Sequence, residues 1–362
     1  MNIPLPPQDV LLPDNHERKQ IFYWLKQVSS WTAWNRIFGY YKTWADAAEK
    51  SVRAADNSGI LDKSTIPYDD YVFILKGLAH FEEGVQRLRE GDKRVFQYNS
   101  HGEFAMAGRA PAYWHKGIWG RGEMQIDYEH TPYWDEFENG LEQFSAASGE
   151  CAMVILESAD LDAAAPNIFG MWLKENLPKM HFPQNLSEVP SSLEDILVAT
   201  GKTIPHSGIW EPVEAPQSKG FSLFRQPPHR GPFPIAGCMN YLHGGSSAPP
   251  AKQETETESL RANVVWRLLW RDDRYEDGTV LEEEREYRFM QPESDASGDT
   301  PASASRPVKS EPLVSLTSGQ LAPNSGRWLP EDNLAGAIEL QAGEPLPFRE
   351  GRAIRWTLAT PY

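Results

Sequence analysis

The sequence predicts an α+β protein in which an N-terminal helical domain precedes a C-terminal β-rich domain made of two repeated small Trp-containing modules. In the first half, apolar residues recur at three- and four-residue spacing, which is typical of amphipathic helices. After Leu193 the composition changes to Gly, Pro, Ser and short β-branched or aromatic runs, and a sequence repeat appears. The expected domains are 1–195, 196–290 and 313–362, with a disordered linker at 291–312.

Composition limits the classes of partner. The chain has 362 residues, which favours two domains, and a formal net charge of −16. This charge would repel nucleic acid and anionic membranes, whereas a basic partner would be attracted. The N-terminal residues lack the apolar core of a signal peptide, and no apolar run approaches the length of a membrane span. A cytoplasmic protein with neither nucleic acid nor membrane as partner is therefore expected.

The two cysteines, Cys151 and Cys238, lie far apart in regions of different composition. They cannot supply the closely spaced ligands of a zinc site or a multi-bridge disulfide framework. Both are expected to be reduced thiols in the core, because free cysteine is among the most buried residue types. No metal and no other cofactor is expected.

The helical half carries recognisable start signals. Asp14 or Asn15 can cap the first helix, and Thr131 followed by Pro132 is typical of a cap followed by proline at the first helical position. The expected helices lie, in order, at about 15–55, 67–91, from 131 to beyond 144, 150–158 and 167–177.

Residues 100–129 are rich in glycine and aromatic residues, including Trp114 and Trp119, and show no obvious periodicity. We expect a long loop there. Long loops inside compact domains are often functional. The alternative is a loop held over the helices by its own aromatic side chains, and the sequence leaves both open.

The repeat aligns residues 200–212 with 318–330 without gaps, and six of the thirteen positions are identical. In each copy Pro-x-Ser-Gly predicts a tight turn, because proline fixes φ, glycine accepts positive φ and the serine hydroxyl can bond the backbone. The following tryptophan is expected to plug a small core, together with a second tryptophan in a later strand. The motif residues are Pro205, Ser207, Gly208, Trp210 and Trp266 in the first copy, and Pro323, Ser325, Gly326, Trp328 and Trp356 in the second.

An alternative function follows from the same residues, because tryptophans exposed in both copies could hold carbohydrates or peptides, whereas buried ones would be structural. Further expectations for this half are insertions of the first copy at 217–232 and 244–259, equivalent Ala-Gly pairs at 236–237 and 342–343, and a hairpin at 268–289 with an Asp-Gly turn at 277–278.

Catalytic motifs are incomplete. Gly201-Lys202-Thr203 is similar to the end of a phosphate-binding loop, but the required earlier glycine is missing and Pro205 would break the following helix. His101-Gly-Glu has no Pro-Cys-x-x-Cys partner, and no Gly-x-Ser-x-Gly is present. We therefore expect a protein that is not an enzyme and has no catalytic residue.

Acidic residues cluster near the predicted helix that begins at 131. They form either a solvated surface or a docking surface for a basic partner, in which carboxylates accelerate association and fix orientation. If it is a docking surface, the expected contact residues are Trp114, Trp119, Asp127, Glu129, Asp135 and Glu136.

The two copies of Pro-x-Ser-Gly-x-Trp-x-Pro, at 205–212 and 323–330, each precede a glycine-led segment and a final tryptophan strand. This arrangement resembles the C-terminal modules of bacterial polymorphic-toxin immunity proteins, most closely immunity protein families 71 and 72. The resemblance covers about 195–362 well, and the helical half in general character. It implies a protein that binds one cognate toxin, from a type VI secretion or contact-dependent system, and covers the toxin's active site. A cytoplasmic inhibitor further implies a toxin that acts in the cytoplasm, for example on nucleic acid or nucleotides.

Overall fold

A computed structural model describes residues 10–98, 102–120, 124–160, 162–191, 196–214, 233–255, 257–290, 314–330, 338–349 and 351–361. Helices occupy the N-terminal part and strands the C-terminal part, so the predicted α+β fold class is confirmed. The predicted linker at 291–312 and the predicted insertion at 217–232 lie outside the described residues.

Eight α-helices and ten strands are present in the described part of the chain. The helices are α1 (Asn15–Val28), α2 (Trp31–Asn57), α3 (Tyr68–Arg89), α4 (Glu103–Ala107), α5 (Arg109–Trp119), α6 (Trp134–Gly149), α7 (Ala152–Ile155) and α8 (Met171–Asn176). The strands are β1 (Leu197–Ala199), β2 (Gly208–Val213), β3 (Asn240–Leu242), β4 (Ala251–Glu254), β5 (Ser259–Ala262), β6 (Val265–Arg271), β7 (Ser315–Thr317), β8 (Gly326–Pro330), β9 (Ile338–Leu340) and β10 (Arg355–Pro361).

The chain forms two compact units, and each combines segments that are distant in sequence. Unit 1 contains Met1–Tyr40, His80–Gly108 and Gln143–Ser294, and unit 2 contains Tyr41–Ala79, Arg109–Glu142 and Asp295–Tyr362. Each unit therefore contains helices as well as a Trp-containing sheet.

The single helix predicted for 15–55 is wrong, because the helix is interrupted at Ser29 and Ser30. The Ser29 hydroxyl donates to the carbonyl of Leu25 (2.7 Å), and the Ser30 hydroxyl donates to that of Gln27 (2.6 Å). Ser30 Oγ also accepts the N–H of Ala33 (3.1 Å), as the cap of α2. Serine hydroxyls compete in this way with the helical backbone bonds, so one helix ends and another begins.

The loop predicted for 100–129 is also wrong, because most of its described residues are helical. In unit 1, Phe104 of α4 stacks on Trp34 with ring centroids 4.2 Å apart. In unit 2, Trp114 of α5 is fully buried, with its ring centroid 4.8 Å from that of Phe137. Phe104 and Trp114 therefore belong to two helical cores, and the burial of these two rings stabilises helices that periodicity did not indicate.

The helix predicted near 67–91 is confirmed as α3, whereas the predicted cap at Thr131 is wrong. Helix α6 begins at Trp134, directly after Tyr133, whose φ is 60°. The Thr131 hydroxyl instead accepts the N–H of Thr65 (2.8 Å). Helices α7 and α8 are shorter than the segments predicted for them.

The sheet of unit 1 has the order β1-β6-β2-β3, and that of unit 2 has the equivalent order β7-β10-β8-β9. All neighbouring strands are antiparallel, and each sheet has one register shift in its central strand pair. The inner tryptophans are at most 1% exposed; they are Trp210, Trp266, Trp328 and Trp356.

Equivalent hydrogen bonds close the turns of the two modules. Ser207 Oγ accepts the N–H of Gly244 (2.9 Å), and Ser325 Oγ accepts that of Ala342 (2.9 Å). Gly208 and Gly326 have φ values of 155° and 158°, and a Cβ on Gly208 would lie 2.1 Å from the Trp270 carbonyl oxygen. Only glycine fits there without strain.

The structure corrects three further predictions for the C-terminal half. Residues 342–343 correspond to 244–245, not to 236–237, because Gly245 and Gly343 have matching φ values of 90° and 89°. The insertion predicted at 244–259 is an ordered hairpin of β4 and β5, at 251–262, and not a low-complexity segment. The hairpin predicted at 268–289 is wrong: β6 ends at Arg271, and a short 3-10 helix at Glu282–Glu286 brings Glu284 into the core, where it accepts from the Tyr275 hydroxyl.

Candidate functional site

Unit 2 displays exposed acidic and aromatic side chains around the N-terminus of α6 and at the C-terminal end of α5. We call this set the acid–aromatic surface; it consists of Trp119, Asp127, Tyr128, Glu129, Tyr133, Asp135 and Glu136. Tyr128 is 68% exposed, Tyr133 44% and Trp119 42%. Five of these residues were predicted contact residues, whereas Tyr128 and Tyr133 were not. The sequence could have indicated Tyr128 and Tyr133 as contact residues, because both lie among the clustered acidic residues.

Hydrogen bonds fix the segment that carries Asp127. The Asp127 N–H donates to Thr65 Oγ1 (2.8 Å), and the Thr65 N–H donates to Thr131 Oγ1 (2.8 Å). The Asp127 carboxylate accepts the N–H of His130 (3.1 Å) and lies 2.8 Å from His130 Nδ1. The side-chain bond from His130 lowers the pKa of Asp127, so this carboxylate is charged at neutral pH.

Asp135 and Glu136 lie in the first turn of α6, where the helix dipole stabilises negative charge. Glu136 is partly neutralised by Lys50, whose Nζ lies 2.7 and 2.8 Å from the two carboxylate oxygens. The same Nζ lies 3.9 Å from the centroid of the Tyr133 ring. Within the described residues, Glu129 and Asp135 are exposed and form no ion pair, so they remain available to a partner's cations.

Trp114 was predicted on this surface, but its side chain is fully buried. Its ring centroid lies 4.8 Å from that of Phe137 and 6.3 Å from that of Trp134, so it packs in the core beneath the N-terminal turn of α6. Trp119 lies at the end of α5, with its ring 4.9 Å from that of His115. Of the two predicted tryptophans, only Trp119 can contact another molecule.

Beside Trp114 in sequence, Tyr113 donates a hydrogen bond to the Asp70 carboxylate. Burial, reinforced by the neighbouring Asp69, raises the pKa of Asp70 to about 6, although the Tyr113 bond opposes the shift. Asp69 itself pairs with Arg327 of β8 (2.6 Å). These contacts link α3 to the sheet of unit 2.

No group of three or more His, Cys, Asp or Glu side chains is placed to hold a metal ion in the described parts of the chain. Among the same residues, no helix is long and apolar enough to cross a membrane. Cys151 and Cys238 are free and buried, and burial raises the pKa of both thiols. The four module tryptophans are buried as well, which favours their structural interpretation over a carbohydrate or peptide platform.

The family comparison connects this architecture to proteins that neutralise toxins. Residues 12–166 match the family model described as Immunity protein 71, and residues 190–288 match the model described as Immunity protein 72. Two regions of the chain therefore match immunity protein family models, and the resemblance stated from the repeat residues is confirmed. No curated protein and no solved structure matches the chain.

The matched ranges differ from the expected ones. The helical half matches a family model of its own, although the sequence had linked it to immunity proteins only in general character. The second Trp module, at 314–361, lies outside both matched ranges. Immunity protein families are generally non-enzymatic and bind cognate toxins.

Proposed function

We propose that this protein neutralises one cognate secreted toxin by binding it through the acid–aromatic surface and covering the toxin's active site. The observation that carries the proposal is the pair of immunity-family matches, combined with exposed carboxylates and aromatic rings on unit 2. The protein performs no catalysis and needs no cofactor in this role.

The two kinds of side chain contribute differently to binding. Tyrosine and tryptophan bury much apolar area at a small cost in side-chain entropy, and they are enriched among the residues that dominate interface energies. Tyr128, Tyr133 and Trp119 offer such area. Glu129 and Asp135 offer unpaired charge within the described residues, and the net charge of −16 attracts a basic toxin over a longer range.

This partner chemistry also fits the localisation that the proposal requires. A toxin with a basic active-site surface is suited to nucleic acids or nucleotides, which are cytoplasmic targets. The toxin would come from a type VI secretion or contact-dependent system, and the inhibitor would meet it in the cytoplasm rather than at a membrane.

The first experiment expresses the product of the neighbouring reading frame, with and without this protein, and measures growth. Rescue of growth and a stable complex of the two purified proteins are expected. Growth arrest that persists in the presence of this protein, without complex formation, would reject this partner.

The second experiment maps the surface. Substitution of Asp127, Glu129, Asp135 and Glu136 by lysine should slow association with the toxin at least tenfold, because removal of the surface's negative charge weakens electrostatic steering. The control replaces four exposed acids of unit 1 by lysine, at Asp162, Glu175, Glu258 and Glu276, for the same change in net charge. Equal association rates for the two variants, measured by stopped flow at low salt, would show that the acid–aromatic surface does not bind the toxin.

A further inference from the structure

In the first Trp module, the segment around Ala165, which follows α7, covers one side of the tryptophan core. Ala165 is 1% exposed and packs in the same cluster as Trp210 and Trp266. Its N–H donates to the carbonyl of Pro250 (2.9 Å). The backbone of this segment therefore seals the module between β3 and the segment that precedes β4.

Two residues further on, Asn167 continues the cover. Its N–H donates to Asn240 Oδ1 (2.8 Å), and Asn240 Nδ2 donates back to the Asn167 carbonyl (3.2 Å). Asn240 is 1% exposed under this cover. Tyr241, on the other face of β3, is buried instead by Phe96 and by its hydrogen bond to Asp272.

The second module has the same positions, which can be assigned from the hydrogen bonds. Ile338 lies opposite Trp328 as Asn240 lies opposite Trp210. Gly319 donates to the Leu346 carbonyl as Gly201 donates to that of Ala248, so Phe348, two residues later, corresponds to Pro250.

The described residues leave the second module open at these positions. Phe348 is 57% exposed, whereas Pro250 is buried. Ile338 and Leu340 are only partly buried at the edge of the core that contains Trp328. Within the described residues, β9 is an edge strand and no backbone N–H donates to the Phe348 carbonyl. We call Ile338, Leu340 and Phe348 the uncovered slot.

Charge indicates what can occupy the slot. Glu339, between Ile338 and Leu340, points to the other face of β9 and lies opposite Arg327 in the strand pairing. It is exposed, forms no ion pair with any described residue, and replaces the buried Tyr241 of the first module. A second copy of this chain, paired through β9 around a twofold axis centred on Glu339, would place one Glu339 against the other, and like charges opposite each other are destabilising. The net charge of −16 on each copy opposes self-association further.

We propose that the uncovered slot binds an extended segment of the toxin, which takes the place that Ala165 and Asn167 have in the first module. The occupant carries a small apolar side chain against Ile338 and Phe348 and donates a backbone N–H to the Phe348 carbonyl. Because side chains of an extended segment alternate between faces, its next side chain, a lysine or arginine, lies beside Glu339 on the other face of β9. This inference rests on the proposed function and adds a second contact to the acid–aromatic surface.

The test measures the affinity of full-length variants for the purified toxin by calorimetry. Phe348→Asp and Glu339→Lys should each weaken binding at least tenfold. The matched control is Leu321→Thr, which removes another exposed apolar side chain of the same module, 62% exposed, and introduces the threonine that stands at the equivalent position 203. The control should bind as the wild type does.

Hydrogen exchange supplies a second readout that does not depend on substitution. The amides of 338–340 should exchange at least tenfold more slowly in the toxin complex than in the free protein. Wild-type affinity of both test variants, together with unchanged exchange at 338–340, would overturn the slot while leaving toxin binding intact. Failure of the wild-type protein to bind the toxin would instead overturn the proposed function, and the slot proposal with it.

Discussion

Replacement of Glu211 by leucine should lower the free energy of unfolding by about 3 kcal/mol, because it leaves two arginines without their shared carboxylate. Glu211 is fully buried on β2. One carboxylate oxygen accepts from Arg18 Nε (3.0 Å) and Nη2 (2.8 Å), and the other accepts from Arg267 Nη2 (2.7 Å). Each charge-assisted hydrogen bond contributes about 1.5–3 kcal/mol, and we discount the sum because the arginine side chains are 17–18% exposed and retain some hydration.

The second module supplies the rationale for leucine, since Leu329 occupies the equivalent position and packs against Val72. Urea unfolding followed by tryptophan fluorescence measures the effect. In the triple variant Arg18→Met, Glu211→Leu and Arg267→Met, no charge is left unpaired, so most of the lost stability should return. A single Glu211→Leu variant as stable as the wild type would refute the reasoning, and so would a triple variant less stable than the single one.

Two further predictions concern unit 2 and the helical core. Asp70→Asn should raise the free energy of unfolding at pH 7 by about 1–3 kcal/mol, as measured by urea unfolding at several pH values. Because the folded-state pKa of Asp70 is raised to about 6, the stability gained by the substitution should grow as pH increases from about 4 to 6 and should vanish below about pH 4. A difference in unfolding free energy between the variant and the wild type that does not change with pH would contradict the raised pKa of Asp70. Gly84→Ala should destabilise by about 1–3 kcal/mol in thermal unfolding, because its Cβ would lie 2.8 Å from the Phe104 ring, whereas the control Gly149→Ala, with nothing within 4 Å, should not. Equal melting temperatures for the two glycine variants would show that Phe104 yields at no cost.

The local signals predicted the modules better than they predicted the helical half. The Pro-x-Ser-Gly turn and its tryptophan depend on neighbouring residues, so a sequence repeat carries most of the information needed to recognise them. The interruption at Ser29 and Ser30 also has a local cause, but the apolar spacing continues through it and hides the break.

The helices at 103–119 depend on contacts that are remote in sequence. Phe104 packs on Trp34, and Trp114 packs on Phe137, and neither partner can be read from the segment itself. The same limit applies to the candidate site. Charge and composition identified the acidic cluster, but the burial of Trp114 and the exposure of Tyr128 follow from tertiary packing. The uncovered slot can be recognised only by comparing the two modules in the structure. Their hydrogen bonds are equivalent, but Ala165 and Asn167 cover the first module, whereas the described residues leave the equivalent positions of the second open.

The position of the second module in the chain sets the order in which unit 2 can be completed during synthesis. Leu329 of β8 is buried against Val72 of α3, and β8 is paired on one side by β10, at 355–361. Domains generally fold as units while the chain leaves the ribosome. The α3 surface around Val72 therefore stays without its partner strand until nearly 300 further residues, up to β10, have been translated. A nascent chain that stops before β10 exposes that surface to chaperones and proteases, so unit 2 becomes stable only once the C-terminal strand has been made.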